Sequence, residues 1–232
     1  MSVNRLQTIK PLLIADGTAL PPDLAAIHAM AGIILDVGCD TETLRGLANW
    51  QGRAFTVLAR VDPVERLSED ELNRVLGSGT DGVVLSGCRG RADIQRLDVM
   101  LQVAEATKGV TANRIRLYAE YGGAPEGLLS PHALAGSSAR LEALIFNGTA
   151  LADALGCKEP TGASHQRLAA PILAGRAYVA LRAHEASVPA YEMLPADCDE
   201  AATKWAVPTS RDNGFASVVC RSIEQALIAC GT

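Results

Sequence analysis

Short apolar runs rich in β-branched residues recur along the chain, and most are followed by a stretch whose apolar positions repeat with helical spacing. Such alternation predicts parallel strands joined by crossover helices. The strands fall on Pro11 to Ala15, Ala31 to Val37, Ala54 to Val61, Gly82 to Leu85, Ile115 to Ala119, Leu141 to Phe146, Val188 to Tyr191 and Phe215 to Cys220. Helices are expected over Pro22 to Met30, with its Pro in the first turn, and over Thr41 to Trp50, Ala92 to about Thr107 and Ala169 to Ala186. Ser68-Glu69-Asp70-Glu71 has the capping-box pattern and opens a helix running to Leu76. A further helix should begin near Pro125, a last one should follow Cys220, and the pattern weakens after Gly156.

Each strand–helix unit takes roughly 25 to 35 residues, as a (β/α)₈ barrel requires. At 232 residues the chain has the length of one such barrel. No linker rich in Gly, Ser or Pro and no repeated block divides it, so a single TIM-type domain over residues 1–232 is expected. Aromatic residues make up only 4% of the chain against 48% hydrophobic, so the core must be aliphatic.

The net charge of −5 repels a phosphate backbone on average, which argues against a nucleic-acid partner. The longest apolar runs fall far short of the ~20 residues that span a bilayer, and the first residues lack a secretory pattern. A cytoplasmic protein without a membrane partner is therefore expected. The six cysteines (39, 88, 157, 198, 220 and 230) show no C-x-x-C spacing, and in a reducing compartment they read as free thiols.

Four segments in order resemble the citrate lyase β-subunit group of the HpcH/HpaI aldolase superfamily. Ala31 to Asp36 resembles that family's strand ending in Leu-Asp-Leu-Glu-Asp, and Leu58 to Asp62 (LARVD) its Val-Arg-Val-Asn. Asp81 to Asp98 resembles the segment carrying Val-Leu-Pro-Lys-Val-Glu, and Arg140 to Gly156 (RLEALIFNGTALADALG) the strand and loop with Leu-Xaa-Phe-Gly-Xaa-Glu-Asp-Leu. The likeness covers roughly residues 30 to 225. It implies a modified TIM barrel, a homo-oligomer, and a carbon–carbon lyase or aldolase acting on an oxo-acid or acyl-thioester. It also implies Mg²⁺ as the cofactor that neutralises the oxygen charge developed in the reaction.

Matched residue by residue, Arg60 stands at the family's strand arginine, which holds the acid carboxylate, and Asp36 at the first Asp of its acidic run. The following Glu and Asp fall on Gly38 and Cys39, the Lys and Glu of Pro-Lys-Val-Glu on Gly87 and Arg89, and the loop's metal-binding Asp on Ala150. The other metal carboxylate is Glu120 in one alignment and Gly123 in the ungapped one. The closing Lys-Xaa-Xaa-His-Pro becomes Val218-Val219-Cys220-Arg221-Ser222. The resemblance thus keeps the fold and degrades the metal site.

Arg60 and Asp36 are the candidate catalytic residues, and Glu120 is the candidate metal ligand. Arg60, Arg89, Arg221, Cys39, Cys88 and Cys220 are candidates for binding substrate, because in a barrel the strand ends share one mouth. Two readings stand for the arginines: a positive pocket for a carboxylate or the phosphates of a coenzyme A-like ligand, or ion pairs with Asp36, Asp40 and Glu120. Two stand for the cysteines: nucleophiles activated by neighbouring arginines, or small packing residues. Three functions follow: a lyase, a catalytically silent barrel that binds a carboxylate or thioester or pairs with an intact relative, and thiol-dependent chemistry in the same barrel. Fold alone does not choose among them.

Overall fold

Side chains alternate across a strand, so the phase of each apolar run decides which residues see the axis of a closed sheet. In the computed structural model, which describes residues 10–15, 26–36, 41–162 and 168–232, that phase is consistent all the way round. The eight strands are β1 (Leu12–Ala15), β2 (Gly32–Asp36), β3 (Thr56–Val61), β4 (Gly82–Leu85), β5 (Arg116–Tyr121), β6 (Leu141–Asn147), β7 (Ala190–Met193) and β8 (Ser217–Cys220). They pair in parallel and in chain order, and β8 returns to β1 through Leu12↔Val219 and Leu13↔Cys220 to close the barrel.

Leu12, Ile34, Leu58, Val84, Tyr118, Ala143, Ile145, Tyr191, Met193 and Val219 fill the inside of the barrel as one apolar cluster. The intervening residues, such as Ala59, Val83, Leu117, Ala119 and Leu144, face outward and join the larger core beneath the helices. Among the described residues seven α-helices form the outer layer: α1 (Thr41–Ala48), α2 (Glu69–Ser78), α3 (Arg91–Lys108), α4 (Gly148–Leu155), α5 (Ala170–Ala186), α6 (Glu200–Asp212) and α7 (Ile223–Cys230). The N-cap half of the capping-box pattern forms at α2, with Ser68 Oγ accepting from Glu71 N–H at 3.2 Å.

Four details differ from the sequence reading. The segment expected to be a helix over Pro22 to Met30 shows a 3₁₀ turn at Ala26–Ala29, its first residues lying outside the described ones. The crossover from β5 to β6 uses a five-residue 3₁₀ turn, Pro125–Leu129, where an α-helix was expected. β7 begins at Ala190, because Ser187 takes the left-handed conformation (φ 58°) that ends α5. The stretch after β6, read as a loop, is helix α4, because Asn147 Oδ1 accepts from Ala150 N–H at 3.0 Å and caps it.

Candidate functional site

Two residues beyond the apolar ring, in the same inward phase, stand Asp36, Arg60, Glu120, Asn147 and Arg221. Ile34, Leu58, Tyr118, Ile145 and Val219 below them fill the barrel. The chain therefore places a polar layer across the C-terminal mouth by register alone. Arg60 and Glu120 form a bidentate pair, Nε to Oε2 at 2.7 Å and Nη2 to Oε1 at 2.9 Å, and Arg60 Nη1 donates to Asp36 Oδ1 at 3.0 Å. Asn147 Nδ2 donates to Glu120 Oε1 at 2.9 Å, and Arg221 Nη2 approaches Asn147 Oδ1 at 3.5 Å. Arg221 also donates from Nε to the Leu194 carbonyl (3.2 Å) and from Nη2 to Met193 Sδ (3.2 Å). A continuous chain of polar contacts, Asp36–Arg60–Glu120–Asn147–Arg221, thus crosses the mouth.

Burial separates the two ends of this chain. Glu120 is only 1% exposed and its charge is met by Arg60. Hydrogen bonding to Glu120, which outweighs burial, holds the Arg60 guanidinium well above its ordinary pKa. Arg221 is shifted the other way: burial lowers it and the like charge of Arg60 adds to that, while the Glu120 and Asp36 carboxylates compensate only in part. Among the described residues, Arg60 has two carboxylate partners and Arg221 has none.

Of the sequence candidates, Arg60, Asp36, Glu120 and Arg221 meet here. The alternative metal position, Gly123, lies on the loop after β5, with its Cβ direction toward Gly87. Arg89 sits outside this layer: it bridges Glu65 (2.5 Å) and Glu126 (3.0 Å), which is the ion-pair reading of that residue with different partners.

Cys88 and Cys220 do not face the mouth, which corrects the expectation for both. Cys220 follows the inward Val219 and so points into the apolar cluster with Leu13, Val218 and Ala226, beneath α6 and α7. Cys88 packs in the outer core with Tyr121, and burial pushes its thiol up to about 12; the Cys220 thiol is likewise pushed up to about 12 by burial. Thiols held protonated in apolar surroundings are poor nucleophiles. Cys39, and Asp40 beside it, lie outside the described residues. Iodoacetamide at pH 8 should label Cys230, whose residue is exposed, and leave Cys88 and Cys220 unmodified in the folded protein. Peptide mass spectrometry checks this, and equally fast labelling of Cys88 would contradict it.

Asn147 is a site residue that the sequence reading did not single out. Its signal was an Asn at the end of an apolar strand, ahead of a stretch that is helical when capped. Its backbone also fixes the neighbouring loop. A Cβ on Gly122 would lie 2.2 Å from the Asn147 carbonyl oxygen, and Gly122 has φ +139°, so only glycine lets the chain leave β5 this closely.

The donor set does not fit Mg²⁺. A magnesium shell usually carries one or two carboxylates together with waters and ligand oxygens. Glu120 Oε1 already accepts from Arg60 and Asn147, and Oε2 from Arg60. Asp36 lies on the other side of the same guanidinium, so a cation already occupies the place between the two carboxylates. Ala150 brings no carboxylate, and among the described residues no three His, Cys, Asp or Glu side chains group in a way that holds a metal.

The closed parallel barrel with a charged layer at its C-terminal mouth defines a TIM-type (β/α)₈ protein. Among solved structures it is similar to the HpcH/HpaI aldolase from Desulfitobacterium hafniense DCB-2, with a TM-score of 0.67 and 15% identity over 92% of this chain and 86% of that one. It is also similar to the protein CitE from Mycobacterium tuberculosis in complex with magnesium and acetate (TM-score 0.72, 16% identity, 98% of this chain and 92% of that one). A third is Haloferax volcanii malate synthase in its magnesium/glyoxylate complex (TM-score 0.75, 13% identity, 97% and 75%). At these identities the likeness is one of fold. No protein-family model and no curated protein matches the chain. No helix among the described residues is long and apolar enough to cross a membrane.

Proposed function

We propose that this lyase-type barrel binds the carboxylate of a small oxo-acid or acyl-thioester at its C-terminal mouth without Mg²⁺, as a barrel in which ligand recognition has outlived the metal-dependent step. One observation carries the reading: Arg60 closes on Glu120 where the resemblance would seat a cation, while the cationic Arg221 stands at the same mouth. The charge count of the layer is two arginines against Asp36 and Glu120, so an incoming carboxylate meets no net negative field from these four groups. Arg89, engaged by Glu65 and Glu126, is left out of the binding set on this reading. The acidic chain and the resemblance support a cytoplasmic homo-oligomer with no nucleic-acid or membrane partner.

A second reading, an active carbon–carbon lyase with Arg60 and Asp36 as catalytic residues, is favoured by the meeting of Arg60, Asp36 and Glu120 in one cluster at the strand ends. The two are separated by one experiment. Glyoxylate, oxaloacetate and acyl-coenzyme A esters are screened for a rise in melting temperature, with Mg²⁺ and with EDTA, alongside an assay for release or consumption of the oxo-acid. The binding reading expects a rise for at least one oxo-acid that EDTA leaves unchanged, and no turnover. Turnover that needs Mg²⁺ and is lost in Arg60→Ala would establish the lyase instead.

A further inference from the structure

The mouth contains two arginines, and their surroundings differ in a way that bears on which of them meets a ligand. Arg60 shares its three donor nitrogens between two carboxylates: Nε and Nη2 on Glu120, Nη1 on Asp36. An anion reaching it must displace one of those bonds. Arg221 is bonded only to neutral acceptors, the Leu194 carbonyl, Met193 Sδ and Asn147 Oδ1, and its Nη1 has no acceptor among the described residues. The thioether is a weak acceptor, and the contact to Asn147 is at the limit of a hydrogen bond. A partly buried guanidinium without a counter-charge is what an anion site needs before its ligand arrives.

Space lies beside it. A cleft of about 460 Å³ opens at the ends of β1, β2 and β8, lined among the described residues by Ile14, Ala15, Asp36, Ala196, Arg221 and the start of α7. The N-terminus of α7 is not the receptor. Gln225 N–H is taken by Ser222 Oγ, and the Arg221 N–H by Gln225 Oε1. The Glu224 carboxylate, held low by its own backbone N–H, puts negative charge on the far wall. Among the described residues only the Arg221 side chain offers a free cationic donor to this space, and Asp36 and Glu224 make the rest of it suited to a single anionic group and no more.

We infer that Arg221 is the residue that receives the ligand's carboxylate, that the carboxylate lies in the cleft between the ends of β1, β2 and β8, and that Arg60 is a positioning residue that holds Glu120 and Asp36. The ligand class follows: a compound with one carboxylate near its end and an uncharged oxo or acyl portion directed toward Asn147 and the barrel axis. This inference rests on the carboxylate-binding reading above. Of the arginine candidates it moves the anion from Arg60, where the family resemblance puts it, to Arg221 on a different strand end.

Isothermal titration calorimetry with glyoxylate and pyruvate, and with acetate and inorganic phosphate as bare anion probes, tests it on the wild type and three variants. Arg221→Gln should weaken the tightest of these at least tenfold, and Arg221→Lys by a smaller factor, because a point charge replaces a fork. Arg66→Gln, an arginine 68% exposed and paired among the described residues only with Asp62, should leave binding within twofold. Thermal melting of Arg221→Gln should fall only slightly, since its partners are neutral acceptors and no buried charge is stranded, which separates lost binding from lost folding. Binding of an oxo-acid by wild type and Arg221→Gln within twofold of each other would overturn the inference and leave the carboxylate-binding function standing. Binding of acetate or phosphate that depends on Arg221, without binding of any oxo-acid, would keep the anion site and overturn that function. No binding of any of the four would overturn both.

Discussion

Arg140→Met should destabilise the protein by about 3–5 kcal/mol, the cost of stranding a buried charge. Arg140 is 0% exposed in its side chain, and it reaches from the start of β6 to α3 on the side of the barrel away from the mouth. Its Nη1 and Nη2 donate to the two oxygens of Glu105, each at 2.7 Å, its Nε to Asp98 Oδ1 at 2.6 Å, and Nη1 also to the Ile115 carbonyl at 3.2 Å. Glu105, 1% exposed, accepts in addition from the N–H groups of Asn113 and Ile115, so it ties α3, the loop before β5 and β6 to one point. Methionine fills much of the volume and leaves that carboxylate without its cation. Urea unfolding followed by circular dichroism reads the loss as a lower midpoint at unchanged slope. A loss below about 1 kcal/mol would mean that water reaches Glu105, since that is the range of an exposed pair.

The same cluster sets a pH dependence. Burial alone would raise the Glu105 pKa, but hydrogen bonds from Arg140 and the Ile115 N–H outweigh it and hold the carboxyl below its ordinary range. A carboxyl lowered in the folded state contributes stability above its unfolded pKa of about 4.3, and that contribution fades as pH falls through the folded value. Between pH 7 and pH 5 stability should therefore stay level as far as Glu105 is concerned, and below about pH 4 it should fall. In Arg140→Met the carboxyl titrates at higher pH, so the fall should begin earlier.

The second large effect is expected at the mouth. Arg60→Met leaves Glu120 buried with Asn147 as its remaining side-chain donor, and it should cost about 3 kcal/mol, nearer the low end of the range for buried pairs because Arg60 itself is partly exposed. For a domain of this size that corresponds to a fall in melting temperature of roughly 6–12 °C. The double variant Arg60→Met/Glu120→Gln should recover much of the loss, because the neutral amide removes the stranded charge. A double-mutant cycle measures the coupling directly, and additive single effects would show that the pair is not one unit. The comparison also bears on function: an arginine retained to hold its neighbours in place shows its loss first in folding and only then in binding.

The barrel was legible in the sequence because its strands are short apolar runs of constant phase, and a closed parallel sheet needs both faces of each strand covered. The same period of two that marked the strands also fixed Arg60, Asp36 and Glu120 to one layer. It also turns Cys220 away from the mouth, because this strand-end residue is one position out of phase with Val219. Cys88 lies beyond the strand altogether, where the turn after β4 carries it under the helices and where periodicity says nothing. Helix α4 was hidden because Gly148 and Thr149 are weak helix formers, and the decisive cap comes from a strand residue. Pairing was the least legible part. That Arg60 takes two carboxylates and Arg221, among the described residues, none depends on distances across the barrel, which no local pattern encodes.

Two properties define the proposed mouth: it receives a carboxylate, and it has no seat for a cation. A crystal structure of the wild-type protein soaked with Mg²⁺ and an oxo-acid such as glyoxylate reads both statements together. The expected result is the ligand carboxylate against Arg221 in the cleft at the ends of β1, β2 and β8, with Arg60 still closed on Glu120 and no cation between them. An octahedral magnesium bound to Glu120, with Arg60 swung onto the ligand, would contradict it.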